Sequence, residues 1–455
     1  MASQSDIEHL LRRTEFVARQ SRVQALVALT REQAVDDIMA VTGDPGSVNF
    51  TETENWRKGE QLTHFWLDRM AHDSPKPMQE KMSFFWHGHF CSEFGKVGSA
   101  ELMRDQIDLF RRSGLGNLRN LAHDMSTQVA MLRYLDNNQN KRTSPNQNFA
   151  RECMELFLLG VGNYTEADVE ASTAAWTGHT DVWDTHAYLW RGDWHDSSTK
   201  QFLGRTINTG AEPTLHGFET IDVILGNGIV PNGATNAGNR GRDTRDVAAE
   251  FISRKLWTAF AGTTPSAAVV DAMRSAAVGS NFDITPWVRA MLVHPEFYTD
   301  EVKQGLVRSP VEFVVAALVA IGRRSGDATP LWLMEGMGQR PLVPPNVSGW
   351  KHNGYFVNAS AMSKRTDAAR TFAWRCMEHY WDGEQLMRLA AGAVSRTELE
   401  SSATTMAGVV LRIAQLMQIT LGPASLGALS SYTSVRWERS DVLALMFLCP
   451  EFHTA

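Results

Sequence analysis

Apolar residues return at helical spacing through most of this chain, with polar caps standing just ahead of them. Ile7, Leu10 and Leu11 follow Ser5-x-x-Glu8, and Thr30-x-x-Gln33 opens a second stripe through Ala34, Ile38 and Val41. In such a box the first hydroxyl accepts from the backbone N–H three residues on, so each marks a helix start. The same period predicts helices over 55–72, 76–86, 99–113, 118–135, 148–159 and 165–176, with Gly160 and Gly162 separating the last two. Between Gly178 and Arg242 it gives way to Gly, Asn, Asp and Thr with short apolar patches such as Ala187-Tyr188-Leu189-Trp190. That stretch reads as a loop-rich insert with one small β-hairpin and a Gly- and Asn-rich loop from Gly226 to Gly241. Helices resume over 244–260, 266–278, 284–293 and 310–322, and in several stretches after Asn358. The expected fold is mostly α, a multi-helix bundle. Residues 1–177 and 243–455 would pack as one large domain, and 178–242 would form a lid-like insert over its site.

With 43% hydrophobic and 21% charged residues over 455 positions, the chain can bury a large core. Its formal charge of −7 argues against general binding to nucleic acid or an anionic membrane, which needs a clustered positive surface. Arg240, Arg242 and Arg245 do not supply one, being interleaved with Asp243 and followed by Asp246. Cys91, Cys153, Cys376 and Cys449 show neither metal nor disulfide spacing. No apolar run is long enough to span a membrane, and Met1 to Arg13 lacks the apolar run of a signal peptide. A cytoplasmic location is expected, with export through a removed leader as the alternative.

Chemistry-bearing residues crowd into 81–178. His87 and His89 flank Gly88 at the end of an apolar helix. Positions i and i+2 of a helix point about 200° apart, so both rings can face one ion only if the backbone unwinds at Gly88. Taken alone, such a pair more often bonds to backbone carbonyls. Glu152 and Glu155 share one face of a largely apolar helix, and a buried carboxylate needs a cation, a metal or a donor network. Arg151, Arg104 or Lys255 could balance it structurally. Together, His87, His89, Glu152 and Glu155 make an oxygen–nitrogen set suited to a divalent ion such as Zn, Mn or Fe, with Cys91 a less favoured soft ligand.

Around this set lie residues with a possible site role and an ordinary one. Asp136, Asn137, Asn138 and Asn148 form an amide-rich loop, which is common turn chemistry but also suits a hydroxylated, carbohydrate-like ligand, with Arg104 as a further substrate contact. Thr165 and Asp168 make a capping box, preceded by Asn163 and Tyr164. His195 beside Asp196 could carry protons or lie in a solvated turn. Trp183, Trp190 and Trp194 in the insert suit lid packing or aromatic platforms for a sugar. No Gly-x-Ser-x-Gly elbow, Walker loop or His-Glu-x-x-His helix occurs.

Several blocks carry a family likeness. They include Trp86-His-Gly-His-Phe90, Arg151-Glu-Cys-Met-Glu-Leu-Phe157, Gly160-Val-Gly-Asn-Tyr-Thr165, Arg254-Lys-Leu-Trp257, His294-Pro-Glu-Phe297 and Pro344-Pro-Asn-Val-Ser-Gly-Trp350. In these the chain resembles the bacterial family called domain of unknown function 1800, over essentially its whole length. The likeness implies a domain extent and no reaction. The residues themselves suggest a metal-assisted enzyme, hydrolytic, in which His87, His89, Glu152 and Glu155 gather an ion while His195 or Asp168, with Asn163 and Tyr164 nearby, assists proton transfer. The alternative is a non-catalytic binding or assembly protein whose polar cluster is a structural network.

Overall fold

In the computed structural model, which describes residues 2–329, 331–379, 385–389, 392–395, 397–398, 405–435 and 439–455, two of the three caps expected from the sequence close where it places them. The Thr30/Gln33 and Thr165/Asp168 boxes both form, and a third, Ser309/Glu312, opens the Pro310–Ile321 helix. The first helix, Gln4–Glu15, is capped by Ser3 instead of Ser5, with the Ser3 hydroxyl accepting from the Asp6 N–H. The 118–135 stretch is two helices, Leu118–Thr127 and Val129–Tyr134, because Gln128 between them is extended. Asn148–Glu152 runs into a π-helical turn, Cys153–Leu158.

The architecture is mostly helical with small antiparallel sheets. The insert holds two hairpins where the sequence suggested one: His179–Val182 pairs with Ala187–Trp190, and Lys200–Phe202 with Arg205–Ile207. The second turns through Leu203 (φ 46°) and Gly204 (φ 74°), both left-handed as a tight hairpin turn demands. Leucine is rare there, so the usual Asn-Gly or Asp-Gly signal is missing. A three-stranded sheet, Met377–His379, Gln385–Leu389 and Gly392–Ser395, follows the Ala359–Cys376 helix.

Trp66, Trp86, Trp176, Trp257 and Trp287 are fully buried and mark the core. The Pro77–His89 helix runs through it and buries residues on all sides, as an apolar helix must. Its first turn is held by Glu80, which accepts from Arg111 at 2.9 and 3.0 Å and from Trp66 Nε1 at 3.1 Å. The next residue, Lys81, pairs with Glu312. Close by are Arg13, Arg308 and Arg365, buried and bonded to the carbonyls of Val302, Phe452 and Arg308 respectively. Glu312 thus balances a buried cluster of cations.

The insert is pinned to the Glu166–Ala175 helix and its approach loop. Asp168 accepts from the Leu203 N–H at 2.8 Å, the Asn236 N–H donates to Gly162 at 2.8 Å, and Asn239 donates to Asn163 at 2.8 Å. Among the described residues no helix is long and apolar enough to cross a membrane.

Candidate functional site

The helix does not unwind at Gly88, so His87 and His89 diverge. His87 points to the 340s loop. Its Nε2 accepts from the Leu342 N–H at 3.0 Å, and its ring lies between Trp66 and Trp350, 5.5 and 5.3 Å centroid to centroid. Leu342 holds a left-handed φ of 68°, and its carbonyl accepts from the Phe94 N–H, so this strained residue is tied down on both sides. Burial pulls His87 down to about 3, which makes it a neutral bolt between helix and loop.

The loop closes over the helix through Gly349, whose φ is 75° and whose missing Cβ would sit 2.2 Å from the Gly88 carbonyl oxygen. Gly349→Ala should therefore cost at least about 2–3 kcal/mol, combining left-handed strain with a backbone collision. Equilibrium unfolding checks this, and a cost below about 0.5 kcal/mol would show that the loop is not seated there.

His89 turns the other way. Its Nε2 lies 2.8 Å from the Phe157 carbonyl, which can only accept, so Nε2 carries the proton and Nδ1 offers a lone pair. That lone pair faces Lys255 Nζ at 3.5 Å, and Lys255 also donates to the Leu156 carbonyl at 2.7 Å. Both carbonyls belong to the π-helical turn at the end of the paired-glutamate helix, where backbone acceptors are left over and the helix end is partly negative. The two motifs do meet, but through backbone carbonyls. Burial pulls Lys255 down to about 8 and holds His89 neutral, with the Lys255 charge pushing the histidine the same way.

His89 and Lys255 line a cavity of about 630 Å³ between the Pro77–His89 and Thr244–Ala261 helices, the turn at 306–312 and the loop at 339–356. Phe84, Phe85, Phe251, Phe260, Trp350 and Phe356 give it apolar walls. Arg254, Lys255 and Lys351 face it without a described carboxylate partner. Its carboxylate, Glu312, is already paired with Lys81. No residue of the insert lines this cavity, so 178–242 is not its lid: Asp168, Asn163 and Gly162 draw the insert elsewhere.

The other candidate residues are engaged away from it. Glu155 accepts from the Tyr164 hydroxyl at 2.5 Å, and burial followed by that contact raises the phenol. Glu152 is half-buried and raised, first by burial and then by the Glu155 charge. Neither carboxylate lines the cavity. Among the described residues no group of three or more His, Cys, Asp or Glu is placed to hold a metal ion. Cys91 is a buried thiol pushed up to about 12 by desolvation, its sulfur against the His87 and Gly88 carbonyls. Asn163 donates to the Leu159 and Gly160 carbonyls, and Asp168 serves the Thr165 cap besides Leu203. His195 bonds to the Thr177 carbonyl at 2.8 Å and to His216 at 2.9 Å inside the insert.

The amide loop is bonded to the protein around it, with only the Asn138 Oδ1 of its residues buried without a partner. Asn140 donates to Asn137 and Thr173, Asn138 to Asp181, and the Asn148 N–H to Asn146, while Asp136 pairs with Lys96 at 2.8 Å. Arg104 pairs with its neighbour Asp105 at the surface. Sequence reasoning passed over Lys255 as a site residue. Its signal was a lysine between Phe251 and Ala259, one turn away on either side, on an otherwise apolar face.

This is a mostly helical protein with a cation-faced, aromatic-walled cavity beside its Pro77–His89 helix. It belongs to the family described as protein of unknown function (DUF1800), which matches residues 9–454. No curated protein and no solved structure matches the chain.

Proposed function

We propose that the protein binds a small organic anion with an apolar, aromatic-sized body in the cavity beside Lys255. One observation carries this: in a chain of net charge −7, Arg254, Lys255 and Lys351 all line this aromatic-walled cavity, and none of them is paired with a described carboxylate. A cation held at the edge of a low-dielectric cavity attracts an anion more strongly than one in water. The phenyl and indole rings take up the ligand's carbon skeleton, the ordinary composition of a ligand pocket. Metal-assisted hydrolysis has less support, because His87 Nε2 and both nitrogens of His89 already serve the protein.

Thermal-shift and calorimetric titration with phenylacetate and its neutral isostere phenylacetamide test the reading. Phenylacetate should raise the melting temperature and phenylacetamide should not. Arg254→Gln and Lys351→Gln, both exposed at the rim, should each weaken binding about fivefold, roughly 1 kcal/mol, and added salt should weaken it further. Equal binding of the neutral compound would overturn the reading.

A further inference from the structure

The ammonium of Lys255 has three protons, and the protein accounts for two of them. The Leu156 carbonyl takes one at 2.7 Å and the His89 Nδ1 lone pair faces another at 3.5 Å. His89 cannot turn its N–H toward the amine without breaking the 2.8 Å bond to Phe157. The amine is thus aimed, it lies on the cavity wall, and no described carboxylate ties it up. A lysine kept only to neutralise charge would have a carboxylate beside it, as Lys81 has Glu312. An amine on the wall of an aromatic cavity, desolvated and next to a neutral acceptor, is instead arranged as carbonyl-reactive lysines are.

We infer that Lys255 is a nucleophile for the keto carbon of an aromatic 2-oxo acid, whose carboxylate meets Arg254 and Lys351 while its ring lies among the phenylalanines. This rests on the anion-binding reading and extends it to a substrate class. The neutral amine attacks the keto carbon, forming the C–N bond as the C–O π pair moves to oxygen. The carbinolamine then loses that oxygen as water. Overall, ammonium plus ketone gives iminium plus water, with two of the three ammonium protons leaving on the water. The third stays on nitrogen, where the Leu156 carbonyl can continue to accept it. No oxidant or reductant is needed. The low pKa of Lys255, about 8, makes roughly a tenth of the amine neutral at pH 7, against about one part in three thousand for an ordinary lysine.

The test is borohydride trapping of the full chain with phenylpyruvate, followed by peptide mapping by mass spectrometry and by thermal-shift binding of the same probe. Reduction should fix a secondary amine at Lys255, at least about tenfold above any other lysine. Lys255→Arg, which keeps the cation, should abolish that adduct, while phenylacetate, which has no keto carbon to attack, should still raise the variant's melting temperature. Binding without an adduct, or labelling spread evenly over surface lysines, overturns the iminium and leaves anion binding intact. If phenylpyruvate neither binds nor labels, both readings fall. His89→Gln separates nucleophile from positioning residue: the pH profile of trapping should shift while Lys255 remains the labelled site. An unchanged profile would remove His89 from the assignment.

Discussion

Glu312→Gln should destabilise the protein by at least about 3–5 kcal/mol, the cost of leaving a buried cation unpaired. Glutamine keeps the side-chain volume and can still accept from the Ser309 N–H, now bonded at 2.8 Å, so the capping box survives and the charge alone is removed. What remains is Lys81, about 5% exposed, with Arg13, Arg308 and Arg365 in the same interior. Burial pulls all three arginines down, and the Glu312 charge acts against that on each. The acid profile gives an independent estimate. Desolvation alone would raise Glu312, but Lys81 and the Ser309 bonds hold it at about 2, below its ordinary 4.5. A depressed carboxylate contributes stability that is complete above about 4.5 and lost as the pH falls toward about 2. Some 2.5 pH units at 1.4 kcal/mol each come to about 3.5 kcal/mol. Denaturant midpoints of the wild type, Glu312→Gln and the Lys81→Met/Glu312→Gln pair decide it. The double variant should recover part of the loss, since removing both charges is far milder than stranding one. A single-variant cost under 1 kcal/mol would mean that water reaches the cluster.

The fold was legible wherever a cap preceded a periodic stripe. Thr30, Thr165 and the helix starts near 77, 100, 244 and 310 fall where pattern reasoning puts them, because capping and amphipathicity are local. Leu203 and Leu342 were not legible. Each holds a left-handed backbone that tertiary contacts impose against the residue's own preference. The Trp-His-Gly-His block located one wall of the cavity, and the expectation that its two rings converge failed on one local fact. Gly88 does not break the helix, and Trp350 lies at ordinary contact distance, 3.8 Å, from where its Cβ would be. The paired glutamates drew attention to the right helix for the wrong atoms. Carboxylates announce themselves in a sequence, whereas the Leu156 and Phe157 carbonyls that hold Lys255 and His89 have no signature at all. The opposite wall, 339–356, has no hydrophobic period to read, and its contribution follows only from where Gly349 and Trp350 lodge.

Acid should unfold this protein earlier than its carboxylates alone would dictate, with stability falling steeply from about pH 6.5 toward pH 4.5. His9, His87 and His179 are fully buried and His453 nearly so. Desolvation, the largest cause in every case, lowers them to about 2, 3, 3 and 4 respectively. Nearby cations add to it: Arg13 and Arg12 at His9, Arg365 and Arg308 at His453. The unfolded chain takes up these protons near pH 6.5 while the folded chain refuses them. Stability therefore rises with pH across this window and is lost on acidification, by about 1.4 kcal/mol per pH unit for each histidine. His87 and His179 alone come to about 5–6 kcal/mol over two units, comparable with the whole net stability of many domains. Glu312 stays ionised until well below this range, so the two effects separate along the pH axis. His87→Gln is the sharp test: its amide oxygen can replace Nε2 as acceptor for the Leu342 N–H, and the variant has no proton to bind. The pH slope of its unfolding free energy between 6 and 5 should be shallower than wild type by about one proton, or 1.4 kcal/mol per unit. A wild-type slope near zero in that interval would show that the buried imidazoles accept protons without unfolding, and the neutral bolt at Leu342 would have to be abandoned.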